Sequence, residues 1–246
     1  CPLPLHIRAT DDQTAIAHSA TSHTVVLTQA TQTIVFDNVG QMPTPSLLRN
    51  FSAPVVLDMD YSNDALRHLL GYDEDPFSRW EASQRLGLRI ALQNIAARAN
   101  GADAPDGEKP LPPAFIDAMR SVLRDPKLDA AFKDLALTLP SEAYITEQLD
   151  NVDPQIVHQV REAMRRQLAT DLQAEWVKAY EDNSNTGAYT PDAASAGKRA
   201  LAGHALLMLC VAARDSGDTV WPGKTLQRYK DAGNMTDRYN ALTALV

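Results

Sequence analysis

The side chains that could hold a metal or activate a nucleophile are few and scattered. Six histidines and two cysteines are spread over 246 residues. Zinc hydrolysis chemistry uses H-E-x-x-H on a helix, because two imidazoles one turn apart can reach one ion while the adjacent Glu activates its water. No pair of histidines here has that spacing. The nearest approach is His158 with Glu162, in DPQIVHQVREAMRRQLA. The second imidazole is missing, and Arg161, Arg165 and Arg166 would repel a cation. An ion pair of Glu162 with Arg166 along the helix surface suits the spacing better.

A thiol nucleophile would need Cys210 beside His204. Six residues on a helix put them on different faces, and the apolar run around Cys210 would raise its pKa, so a packing role is expected. G-x-S-x-G, a P-loop and G-x-G-x-x-G are absent. His6, His18 and His23 have no Cys or carboxylate at ligand spacing and read as surface or turn histidines. Asp73, Glu74 and Asp75 precede a helix start, where the dipole favours negative charge. Trp80 and Trp176 sit at core spacing and read as packing residues. The expectation is that this chain holds no catalytic, cofactor-binding or metal residue.

The elements that position these residues divide into two kinds. Residues 1–61 alternate like strands: Leu3 to Ala9, Thr14–Ala17, Thr24–Thr28, Thr33–Asp37 and Ala53–Tyr61, separated by polar turns. Val55, Leu57, Met59 and Tyr61 share one face at period two. Five such segments predict a partial Ig-like sandwich, short of the usual seven strands. From residue 62 nearly everything has helical spacing. Ser62 caps Asn63 to Leu70. Asp75-Pro76 overlaps an S-x-x-E capping box, Ser78 to Glu81, at the start of a helix reaching Ala99.

Asn100 to Pro113 is a Gly/Pro/Asp-rich loop, expected to be mobile. Short helices follow over Pro113–Arg124, Asp129–Leu137 and Ser141–Asp150. A long helix is predicted from Asp153-Pro154 to about Glu181. Its apolar positions Ile156, Val160, Met164, Leu168, Leu172 and Trp176 step by four, so the stripe winds and must meet several neighbours. Thr190-Pro191 caps a helix over Asp192 to Arg214, whose second half, Ala205 to Ala213, should be buried on all sides. Trp221-Pro222-Gly223 then breaks the chain before two closing helical segments. The predicted class is α+β multi-domain: a partial Ig-like β-sandwich over 1–61, then an all-α, irregular α-solenoid of helix pairs over 62–246.

Composition limits the function classes. Hydrophobic residues make up 44% and charged residues 22%, as in ordinary globular chains. A net charge of −8 argues against a nucleic-acid or anionic-membrane surface, since both need a basic field. The Ala205–Ala213 run is far short of the ~20 residues of a membrane span. Two cysteines make no disulfide framework and favour a reducing compartment. The triplets Asn50-Phe51-Ser52 and Asn234-Met235-Thr236 match the glycosylation pattern, which recurs by chance. The chain opens on Cys1 and closes on the apolar, uncapped ALTALV, and is expected to be a piece of a larger protein.

Several stretches resemble the M1 family of zinc metallo-aminopeptidases, of the bacterial alanyl aminopeptidase type. They are FDNV (Phe36–Val39), LLRNFSAPV (Leu47–Val55), DPFSRWEASQ (Asp75–Gln84), LTLPSE (Leu137–Glu142), the Asp153–Ala169 helix, YTPDAASAGKRAL (Tyr189–Leu201) and GNMTDRYNAL (Gly233–Leu242). The resemblance covers nearly the whole chain, in order. It implies a parent of four domains, of which this chain is the later part of a small sandwich and the first part of a C-terminal α domain. The family's zinc motif and its G-x-M-E-N motif would lie upstream; neither occurs here, so no catalytic or metal residue transfers to any position.

The implied parent is cytoplasmic and uses zinc to remove N-terminal residues from peptides, with zinc held outside this segment. The segment's implied role is to link and cover the catalytic domain, with that domain and peptide substrates as partners and neither nucleic acid nor membrane among them. The alternative reading is a stand-alone β-sandwich plus helical-repeat scaffold for protein–protein interaction.

Overall fold

A computed structural model describes residues 6–7, 15–18, 21–101, 109–184, 187 and 189–246, with backbone alone for 6–7 and 15–18. Contacts within the chain group it into two units, Cys1–Leu47 and Leu48–Val246.

In the first unit four short strands form two antiparallel pairs. β1 (His6–Ile7) pairs with β4 (Phe36–Asp37), His6 opposite Asp37. β2 (Ala15–His18) pairs with β3 (His23–Val25), His18 opposite His23, with an irregularity between Ala15 and Ala17. The strands overlap four of the five expected segments; β2 and β3 each extend one residue beyond theirs, and β1, β3 and β4 are shorter than the alternation suggested. The fifth, Ala53–Tyr61, is no strand. It belongs to the second unit, where the Val55 amide bonds the Ala53 carbonyl and the Tyr61 amide the Met59 carbonyl, so it turns rather than runs as a strand.

The second unit contains ten helices among the described residues. α1 (Asn63–Tyr72) starts at Ser62, whose hydroxyl accepts the Ala65 amide. α2 (Pro76–Ala99) starts at Asp75, which settles the overlap between the two capping signals: Asp75 Oδ1 takes the Ser78 amide at 2.8 Å and Pro76 occupies the first helical position. α3 (Pro113–Arg124), α4 (Ala130–Leu137, capped by Asp129) and α5 (Glu142–Thr146, capped by Ser141) follow. Residues 102–108, half of the loop expected to be mobile, lie outside the described residues.

The long helix is divided. α6 (Pro154–Asp171) and α7 (Gln173–Asn183) meet at Leu172, whose backbone leaves helical values at φ −116°. The Trp176 indole N–H donates to the Leu168 carbonyl at 3.1 Å, which also accepts the Leu172 amide at 3.2 Å. A side chain inserted at a helix turn is a recognised cause of such a break. Val160, Met164, Leu168, Leu172 and Trp176 are all buried, and α6 touches α2, α5, α7 and α8. The winding stripe thus serves several neighbours, as its period requires.

α8 (Ala193–Ser216) is the hub, touching α4, α6, α7, α9 and α10. Asp192 caps it by accepting the Ser195 amide at 2.9 Å, and Gly217, at φ 71°, closes it. Ala205, Leu206 and Met208 to Ala213 are buried. By length and composition α8 could cross a bilayer, but 67% of its apolar window is buried inside the fold, as befits a core helix. Gly197 lets α4 approach: a Cβ there would lie 2.9 Å from the Ala131 amide nitrogen.

α9 (Val220–Asp231) absorbs Trp221-Pro222-Gly223 into its first turn, where a break was expected. The first amides of a helix have no intrahelical partner, so proline costs no bond there. α10 (Met235–Leu245) is capped by Asn234, which accepts the Asp237 amide at 2.9 Å. That cap gives Asn234 a structural role independent of the glycosylation triplet.

Candidate functional site

One group of potential metal ligands is found among the described residues: Glu142, His158 and Glu162, whose ligand atoms lie within 4.8 Å of one another. Glu142 enters from the first turn of α5, and His158 and Glu162 from one face of α6. The sequence linked His158 with Glu162; Glu142 was missed because it lies 16 residues from His158. The three do not fit a zinc centre. His158 Nδ1 is bonded to Glu142 Oε1 at 2.9 Å on an exposed surface. Glu162 is paired with Arg165, and Arg161 Nη1 stands 3.8 Å away. The partner is Arg165, three residues on, where Arg166 was expected.

His204 and Cys210 are indeed apart. His204 Nδ1 meets Asp134 Oδ1 at 2.9 Å between α8 and α4, and its ring stacks on Trp176 at 5.2 Å. Cys210 Sγ faces Thr225 Oγ1 at 3.1 Å. Burial pushes the thiol pKa up, only partly offset by Thr225 and Arg214, and thiolate chemistry is disfavoured there. Trp176 is fully buried, whereas Trp80 is half-buried with its ring 5.6 Å from Phe77.

An open cleft of about 540 Å³ runs along the start of α3, lined by Lys109, Leu111, Ile116, Arg120, Gln167 and Asp171 among others. Its polar groups already serve one another. Lys109 Nζ reaches Asp171 Oδ1 at 2.9 Å, and Gln167 exchanges two bonds with the Leu111 backbone, at 2.8 and 3.0 Å. A cleft so arranged fixes the chain and offers little to a reacting group.

The most organised buried polar group lies where the chain enters the helices. Asp75, 4% exposed, holds the Ser78 amide with one oxygen and the Asn50 amide with the other, at 2.8 and 3.0 Å. Burial alone would raise this carboxyl; the bonds from Ser78 and Asn50 and the nearby Arg49 charge outweigh it, and its pKa falls below the ordinary value. Asp73 Oδ1 accepts the Asp75 amide and faces Arg49 at 3.6 Å. Asp73 and Asp75 of the acidic triplet are therefore structural fasteners, while Glu74 is exposed.

Comparison with known proteins gives this arrangement a context. Residues 63–246 match a family model described as Domain of unknown function (DUF3458_C) ARM repeats, and residues 1–60 match Domain of unknown function (DUF3458) Ig-like fold. The chain is 37% identical over 220 residues to aminopeptidase N of Escherichia coli, covering 89% of this chain and 24% of that protein. It is 36% identical over 177 residues to aminopeptidase N of Caulobacter vibrioides, covering 72% of this chain and 20% of that protein. Among solved structures, Legionella pneumophila aminopeptidase A in complex with aspartic acid matches with a TM-score of 0.70 at 24% identity, covering 90% of this chain and 26% of that one. The chain thus spans about a quarter or less of the relatives it matches.

Proposed function

We propose a function from the premise that this chain belongs to the DUF3458_C ARM-repeat family and is homologous to part of aminopeptidase N: it is a non-catalytic segment of a zinc-dependent M1 aminopeptidase of the alanyl type. The observation that supports this most strongly is the homology over 89% of the chain to one part of a peptidase. In the Glu142, His158 and Glu162 group, Glu162 is committed to Arg161 and Arg165 and His158 to Glu142, an arrangement that does not suit a zinc centre.

In this reading zinc is held by another part of the parent, and no step of the reaction runs through residues 1–246. The parent removes N-terminal residues from peptides in the cytoplasm. The segment binds neither nucleic acid nor membrane, and its partner is the parent's catalytic domain. Its contribution is mechanical: stacked helices around α8 form a rigid wall that limits which peptides reach the catalytic domain.

Two measurements test the reading. The 246-residue chain is expected to bind no stoichiometric zinc and to turn over no alanyl-anilide; either signal from pure protein overturns it. A full-length homologue lacking the equivalent of residues 62–246 is expected to lose its discrimination between short and long peptides, or its stability. Unchanged kinetics on both peptide classes in a stable deletion protein would refute the walling role.

A further inference from the structure

Residues 53–61 alternate like a strand in the sequence, but among the described residues no strand pairs with them. We infer that residues 48–61 form a strap that is a fixed part of the helical unit, with Arg85 and Arg89 of α2 taking the place of the missing neighbour.

The geometry of the two arginines carries this. Arg85 Nη2 donates to the Leu57 carbonyl at 2.8 Å and Nη1 to the Met59 carbonyl at 3.1 Å. Arg89 Nη1 donates to the Tyr61 carbonyl at 2.9 Å and to Asn63 Oδ1 at 2.8 Å. The carbonyls of 57, 59 and 61, which a sheet would hand to an adjacent strand, are all taken. The Met59 carbonyl also accepts the Tyr61 amide at 3.1 Å, so the chain turns between the carbonyls that the two arginines hold. The planar fork of a guanidinium can span two carbonyls, which the point charge of a lysine cannot. Glu81 Oε1 holds Arg85 Nε at 2.7 Å and keeps the fork aimed.

The alternation then makes sense without a sheet. Tyr61 is buried, and Leu57 and Met59 pack against the helical core, while Val56, 97% exposed, points outward. The upstream end is fastened independently. Asp75 takes the Asn50 amide, Arg49 faces Asp73, and the Phe51 ring lies 4.4 Å from that of Phe77. Leu48, Asn50 and Phe51 have φ of 55°, 54° and 53°, a left-handed run that non-glycine residues keep only where surrounding contacts over-determine it. The strap is therefore fastened to α1 and α2 at both of its ends.

Hydrogen exchange on the whole chain tests this. In the wild type the peptide covering residues 53–61 should exchange at least about tenfold more slowly than free chain, as packed segments do. In the double variant Arg85→Gln, Arg89→Gln that protection should vanish while peptides from α8 keep theirs. Arg85→Lys, which retains the charge and loses the fork, should fall between. A wild-type strap exchanging at free-chain rates overturns the inference whether or not the variants fold. So does equal protection in the wild type and a folded double variant.

Discussion

Asp75 and Asn50, 25 residues apart, are joined by a 3.0 Å bond from the Asn50 amide to Asp75 Oδ2, while Oδ1 caps α2 through Ser78. One carboxylate thus starts a helix and anchors the chain that leads to it. Asp75→Ala should cost about 1–2 kcal/mol, the usual loss of a helix cap. Asp75→Asn should retain most of the cap through its remaining oxygen and lose the Asn50 bond. Because the folded carboxyl titrates below its ordinary value, its stabilisation is complete above the unfolded pKa of about 3.9 and is lost as pH falls through the folded one. Urea midpoints of wild type and Asp75→Asn should therefore converge on acidification; a constant gap would contradict the pairing.

Glycine replaced by alanine should act in opposite directions at two sites. At Gly197 a Cβ meets the Ala131 backbone at 2.9 Å, and α4 must shift, which should cost about 1–3 kcal/mol. At Gly223 in α9 nothing lies within 4 Å, and alanine should gain about 0.5–1 kcal/mol through helix propensity. Thermal melts of both variants check the signs, and equal effects would argue against a close α4–α8 crossing.

Trp176 separates packing from hydrogen bonding. Trp176→Ala should cost about 3–5 kcal/mol by emptying a fully buried site. Trp176→Phe should cost about 1 kcal/mol for the lost indole bond, since the Leu168 carbonyl keeps the Leu172 amide. Denaturant titration distinguishes the two.

In a Cys1→Ser background the Cys210 thiol should resist a disulfide reagent at pH 8 and react only as the protein unfolds, being 2% exposed with its pKa raised by burial. Immediate stoichiometric labelling of native protein would place it elsewhere.

The exposed His158–Glu142 contact should matter little. Glu142→Gln is expected to change stability by less than about 0.5 kcal/mol, and equimolar zinc should leave the melting temperature unmoved. A zinc-dependent rise abolished by His158→Ala would establish a metal site where the arginines argue against one.

Much of the helical unit is written locally. Pro76–Ala99 and Pro113–Arg124 are helices over the spans their sequence predicts, because proline at the first position, with the Asp75 cap beside it in the first of them, acts within a few residues. The burial of Ala205, Leu206 and Met208 to Ala213, with Leu207 partly buried, follows from apolar residues on every side of one helix. The absence of a complete zinc motif is likewise a property of the sequence.

Other features depended on partners far along the chain. The division at Leu172 accompanies an indole bond to the Leu168 carbonyl, eight residues back, which periodicity cannot register. Glu142 joins His158 only because α5 folds back on α6. Of Val55, Leu57, Met59 and Tyr61, the last three pack against the helical core, whereas Val55 is 60% exposed. Their alternation was legible, and it announced one buried face. What that face is buried against was not, because the carbonyls go to guanidinium groups on a helix that begins 15 residues after Tyr61. Period two specifies which side of an extended chain leaves water; only the tertiary structure decides whether a strand or a helix receives it.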